Sequence, residues 1–144
     1  MKILMVCLGN ICRSPLAEGI MRHLVKDRKL NWEIASAGTG DWHIGKAPDA
    51  RSVIAASTMG YDISRQRAQQ FVPAMFADYD LILVMDKNNL KDVQALAKTD
   101  DDRKKVKLFL DNDEVTDPYW DSGLFAPVCK QVEQRFFEII EQLS

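Results

Sequence analysis

Apolar and polar positions fall into two kinds of block that alternate along the chain. Ile3-Leu4-Met5-Val6 is a short continuous apolar run, the pattern of a strand buried on both faces. A loop over Cys7–Ser14 follows. Leu16, Ile20 and Leu24 then recur at helical spacing, with Ser14 as the expected N-cap and Pro15 as the first helical residue. Trp32–Ala37 reads as a second strand that ends at Gly38. Asp49 is placed to cap a helix over Ala50–Met59, and Gly60 to stop it. Asp80–Met85, which holds Leu-Ile-Leu-Val, is a third, strongly buried strand; Lys87–Ala97 is a surface helix and Val106–Leu110 a fourth strand. Phe125–Leu143 carries Val128, Val132, Phe136, Ile139 and Leu143, which predicts a long amphipathic helix. The charged run Thr99–Lys107 reads as a solvated loop leading into the last strand.

Strands separated by helices imply parallel crossovers. The expected fold class is therefore α/β: a single three-layer domain over residues 1–144, with a four-stranded parallel sheet and helices on both faces. Composition narrows the class of function. With 144 residues, 47% hydrophobic and 28% charged, the chain is an ordinary globular domain, which excludes disorder, collagen, a coiled coil and a disulfide-stapled mini-protein. Nineteen basic against 21 acidic residues give a net charge of -2, so nothing draws the molecule toward nucleic acid or a membrane surface. Three cysteines are too few and too odd for a disulfide framework and suggest a reducing compartment. Met1–Val6 does not read as a signal peptide, and no apolar stretch approaches ~20 residues. The expected location is cytoplasmic.

The chemistry is concentrated in Cys7-Leu8-Gly9-Asn10-Ile11-Cys12-Arg13-Ser14, between a buried strand and a helix. In open α/β sheets ligands bind beyond the carboxyl ends of strands. A short loop there presents backbone N–H groups to an anion, and the following helix adds its positive end. Gly9 is expected to permit a backbone conformation closed to other residues, and Asn10 to hold the loop in shape. Loop amides, helix terminus and Arg13 all favour negative charge on a Cys7 sulfur, and Ser14 can donate to it. Arg13 offers a planar fork for two phosphoryl oxygens. Cysteine and arginine at this spacing are weak evidence alone: Cys129 and Arg135 share it, but lie in a predicted helix and read as a chance match. A leaving oxygen also needs a proton. Asp117, before Pro118 and therefore in extended or turn backbone, is the candidate donor, with Tyr119 and Trp120 beside it as pocket walls.

The segment Val6–Pro15, with Asp117-Pro118-Tyr119 downstream, resembles the low-molecular-weight protein tyrosine phosphatases. So do Ser36-Ala37-Gly38-Thr39, Ile44-Gly45, Pro48-Asp49, the strand ending in Met85-Asp86 with Asn89, and the final helix. The resemblance implies a flavodoxin-like fold with a phosphate-binding loop after the first strand. It implies hydrolysis of phosphotyrosine in proteins through a cysteinyl-phosphate intermediate: Cys7 the nucleophile, Arg13 the clamp, Asp117 the general acid and then base. Leu8, Gly9, Asn10, Ile11, Cys12, Ser14 and Ser36 form or support the loop; Trp42, Tyr119 and Trp120 wall the cleft. Cys12 is the implied redox partner of Cys7, able to form a protective disulfide. The implied partners are phosphotyrosine proteins, a tyrosine kinase among them, with phosphate-like oxyanions as inhibitors. No metal or cofactor is implied, and the implied state is a monomer. His23 and His43 are isolated and read as packing or surface residues. Gln66 and Gln69 stand where the family usually has histidine and arginine.

Three other readings stay open at this point. Protein arginine phosphatases typically carry threonine where this chain has the apolar Ile11. Arsenate reductases use a cysteine relay, and residues 60–100 hold no cysteine. A non-catalytic phosphate-binding module has no need of Cys7 and Asp117 together.

Overall fold

The computed structural model describes residues 1–143. Four strands, β1 (Lys2–Cys7), β2 (Glu33–Gly38), β3 (Leu81–Val84) and β4 (Val106–Leu108), form one sheet in the order β2-β1-β3-β4, with every neighbouring pair parallel. Six α-helices lie between and after them: α1 (Arg13–Asp27), α2 (Ala50–Thr58), α3 (Met75–Asp78), α4 (Lys87–Ala95), α5 (Asp100–Lys104) and α6 (Phe125–Leu143). A 3₁₀ turn at Ser122–Leu124 leads into α6.

Alternation along the central strands makes the layers. Ile3, Met5, Leu83 and Met85 face a core shared with Leu16, Ile20 and Met21 of α1 and Val128, Val132 and Phe136 of α6. Leu4, Val6, Ile82 and Val84 face the opposite core, against Phe71, Phe76 and Val93. β1 is central and covered on both faces from Ile3 onward, which is why Ile3–Val6 is a continuous apolar run rather than an alternating one. The chain passes from β1 to β2 on one side and returns to β3 on the other. That reversal opens a crevice beyond the carboxyl ends of β1 and β3.

Several boundaries differ from the sequence expectation for identifiable reasons. α1 begins at Arg13, not Pro15; Ser14 lies inside the first turn, and its hydroxyl serves Cys7 rather than capping the helix. Pro15 is tolerated there because first-turn N–H groups have no helical partner to lose. The charged run is a helix, α5, rather than a loop. Thr99 caps it through the Asp102 N–H at 3.1 Å, and its acidic residues stand at the positive end of the helix dipole, its basic ones at the negative end. Asp49 does cap α2, through the Arg51 N–H at 2.9 Å, and Gly60, at φ 92°, ends it in the left-handed region. In α6 the apolar stripe is buried as far as Ile139, while Leu143 is exposed.

Candidate active site

The loop leaving β1 is held by its neighbours before it holds anything else. Asn10, not Gly9, takes the left-handed conformation (φ 56°), a region asparagine tolerates better than most residues. Gly9 is in close quarters: a Cβ there would lie 3.0 Å from the His43 ring. Gly38, paired with Cys7 across β1 and β2, is tighter still, since a Cβ would sit 2.8 Å from the Leu8 carbonyl oxygen. The loop is therefore backed directly against the main chain of β2.

The Cys7 sulfur is buried and receives the Asn10 N–H at 3.3 Å; the Ser14 hydroxyl lies 3.0 Å away. A chain of hydrogen bonds fixes these partners. The Gln69 N–H donates to Asn10 Oδ1 at 3.0 Å, which turns Asn10 Nδ2 toward Ser14 Oγ (2.8 Å) and Ser36 Oγ (2.9 Å). With Asn10 donating to it, Ser14 has its own hydrogen to give, with the sulfur at 3.0 Å and the Ala37 carbonyl at 3.5 Å as its acceptors. Ser36 in turn donates to buried Glu18 at 2.7 Å. Burial raises the pKa of Glu18, and its bonds to Ser36 and the Arg22 cation oppose that rise. Gln69 also donates through Nε2 to the Ser36 carbonyl (2.9 Å), and Gln66 to the Pro15 carbonyl (3.0 Å). Gln69 thus braces the loop through Asn10 and β2 through Ser36, and Gln66 braces the first turn of α1, all with neutral hydrogen bonds.

Arg13, the first residue of α1, is buried and points across the crevice. Its Nη1 donates to Asp86 Oδ2 at 2.7 Å and to the Val115 carbonyl at 3.0 Å, while Nη2 lies 3.8 Å from Asp117 Oδ2. Burial works against its charge, but Cys7, Asp86 and Asp117 outweigh that and hold its pKa above the ordinary arginine value. Asp117 is partly exposed and accepts the Tyr119 N–H at 3.1 Å. Cys12 is buried. Desolvation first, then the negative charges of Asp49, Cys7 and Asp117, push its thiol up to about 12.

Cys7, Leu8, Gly9, Ile11, Cys12, Arg13, Trp42, His43, Asp117, Tyr119 and Trp120 line one cleft of about 280 Å³. The sequence thus named nearly all of this surface. Asn10, Ser14 and Ser36 lie behind it. Sequence reading missed His43 as a wall, and Asp86, Glu18 and Arg51 as supports. Asp86 immediately follows the third buried strand, which marks it as a crevice position. Cys129 and Arg135 are elsewhere: Cys129 is in the core, its thiol raised to about 11 by burial, and Arg135 bonds the Phe109 carbonyl. His23 lies on the surface, edge-on to Tyr61. Among the described residues no cluster of three His, Cys, Asp or Glu side chains could hold a metal ion, and no helix is long and apolar enough to cross a membrane.

The family model for low molecular weight phosphotyrosine protein phosphatase matches residues 2–144. The chain belongs to that family. Among relatives of this low molecular weight phosphatase chain, the low molecular weight protein-tyrosine-phosphatase of Streptomyces coelicolor is 35% identical over 160 residues, covering 93% of this chain and 97% of its own. The low molecular weight phosphotyrosine protein phosphatase of Sus scrofa is 38% identical over 126 residues, covering 82% and 79%. A protein tyrosine phosphatase of Entamoeba histolytica, solved with Hepes in its active site, superposes with a TM-score of 0.93 at 30% identity, over 99% of this chain and 96% of that one. Vibrio vulnificus Wzb, solved with benzylphosphonate, gives 0.89 at 31% identity over 99% and 98%.

Proposed function

We propose that this chain hydrolyses phosphotyrosine in proteins through a cysteinyl-phosphate intermediate. One observation carries the reading. A buried sulfur with a hydroxyl at 3.0 Å and a backbone N–H at 3.3 Å shares a cleft with an arginine and a carboxylate that stand 3.8 Å apart. The loop amides and the amino end of α1 receive the phosphate dianion, and the free edge of Arg13 grips two of its oxygens. The Cys7 thiolate attacks phosphorus. The S–P bond forms as the P–O bond to the tyrosyl oxygen breaks, and protonated Asp117 gives its proton to that oxygen. The Asp117 carboxylate then takes a proton from water, whose oxygen attacks phosphorus. The S–P bond breaks, releasing phosphate and restoring the thiolate.

The cleft favours an aromatic leaving group. Ile11 is apolar, and the aromatic side chains of Trp42, Tyr119 and Trp120 line the cleft. Cys12, a neutral thiol beside the nucleophile, acts as its redox partner. Turnover of phosphotyrosine, phosphoserine and phosphoarginine peptides, side by side and with a Cys7→Ser control, tests the reading. Cys7-dependent release from phosphotyrosine alone is expected. A preference for phosphoarginine, or no turnover at all, would overturn it.

A further inference from the structure

Arg51, on the first turn of α2 and outside the cleft lining, ties the nucleophile's loop to the loop that bears Asp117. Its Nε and Nη2 each donate to one oxygen of the Asp49 carboxylate at 3.0 Å. The Asp49 N–H donates to the Ile11 carbonyl at 2.8 Å, so this fork is anchored on the Cys7 loop itself. On its other side Arg51 Nη1 donates to Ser122 Oγ at 3.1 Å. The guanidinium also stacks 4.5 Å from the Phe125 ring centre and 5.4 Å from that of Tyr119. Tyr119 is the residue whose N–H holds Asp117. Asp117 itself is more than a third exposed, with Arg13 no nearer than 3.8 Å. The main chain of this loop joins the sheet through the Val115 N–H to the Met85 carbonyl, two residues before Asp117.

We propose that Arg51 is a positioning residue for proton transfer: by bridging Asp49 to Tyr119 and Ser122, it sets where Asp117 stands relative to the Cys7 sulfur. The inference rests on Asp117 as the proton donor. It depends on the planar fork, which bonds a carboxylate in two places while stacking on rings, and a lysine ammonium cannot reproduce that geometry. A point charge acting through space on the phosphate is the alternative, and lysine would preserve it.

The test is the leaving-group dependence of kcat for aryl phosphates, in the full chain and with thermal melts as a folding control. Arg51→Met retains an apolar stem over Phe125. It is expected to lower kcat about tenfold for phenyl phosphate and no more than about twofold for 4-nitrophenyl phosphate, whose leaving group needs little protonation. Arg51→Lys is expected to match Arg51→Met. In an Asp117→Asn background, Arg51→Met should add no further loss. Equal losses for both substrates, restoration by lysine, or additivity with Asp117→Asn would each overturn the proposal. Should Arg51→Met fail to fold, Ser122→Ala, which removes one exposed bond, carries the same expectation at about twofold for phenyl phosphate; no selective loss would overturn it. Cys7-dependent turnover of 4-nitrophenyl phosphate by the unmodified chain tests the phosphatase reading separately. A chain that passes there and fails here loses only the role of Arg51.

Discussion

Arg13 Nη1 meets Asp86 Oδ2 at 2.7 Å beneath the cleft, and the same nitrogen donates to the Val115 carbonyl. One edge of the guanidinium is thereby bound to the protein, and the other is turned toward Asp117. On the proposed reading, Arg13 as phosphate clamp is oriented before any ligand arrives, which lowers the ordering cost of binding. Asp86→Ala leaves buried Arg13 with only the more distant Asp117 carboxylate, and it also removes the α4 cap, where Asp86 accepts the Asn89 N–H at 2.8 Å. It is expected to destabilise the fold by about 3 kcal/mol and to raise KM for aryl phosphates more than it lowers kcat. Urea unfolding and steady-state kinetics check both; an unchanged KM would show that Asp86 does not orient the clamp.

Cys7→Ser replaces the sulfur with a poor nucleophile but leaves the loop amides and Arg13 in place. Turnover is expected to fall by at least about 10³-fold, while inorganic phosphate or vanadate still binds, as read by calorimetry. Substantial residual turnover would remove Cys7 from the reaction.

Asp117→Asn keeps shape and removes the proton. The expected loss in kcat is about 10²-fold or more for phenyl phosphate and much smaller for 4-nitrophenyl phosphate. A uniform loss would assign Asp117 to binding instead.

Cys12, with its thiol pushed up to about 12, is protonated at neutral pH. On the proposed redox pairing, once peroxide has converted Cys7 to a sulfenic acid, the Cys12 thiolate attacks the Cys7 sulfur and hydroxide leaves. The thiolate fraction rises about tenfold per pH unit well below the pKa. Disulfide formation, followed by mass spectrometry after a peroxide pulse, should therefore quicken about tenfold per unit between about pH 7 and 9. Cys12→Ser should leave oxidation less reversible by thiols. A pH-independent rate would exclude Cys12 as the attacking group.

Asp49 is held below the ordinary carboxylate range, first by the Arg51 guanidinium, with burial opposing. A depressed folded pKa contributes stability that is present above the unfolded value of 3.8 and lost as pH falls through the lower folded value. Asparagine caps helices as well as aspartate does, so Asp49→Asn isolates the charge. It should destabilise the chain at pH 7, and the difference from the unmodified chain should close as the pH falls from 3.8 through the lower folded value. A gap that persists in acid would mean that shape, not charge, is what Asp49 provides.

The sheet and the cleft were legible because they rest on short-range signals. Ile3–Val6 of β1 and Leu81–Val84 of β3 are unbroken apolar runs, and the chemistry is carried in eight consecutive residues from Cys7 to Ser14. What escaped depends on distance in sequence. Asp86 meets Arg13 across 73 residues and Ser122 meets Arg51 across 71, and no local pattern announces either pair. Gly9 suggests a conformational device because glycine usually is one; here the neighbour that crowds it, His43, is 34 positions away. The α5 segment looked like a loop because its residues are charged, yet Thr99 and the ordered placement of those charges make it a helix.

The buried cradle and the exposed cleft walls have separate fates under mutation. Gly38 leaves no room behind the cradle, so change there is punished at once by the fold. Trp42 and Trp120 stand 64% and 86% exposed, and altering them disturbs little packing. Substitution at the rim can therefore reshape the mouth of the cleft while the cradle beneath keeps its geometry.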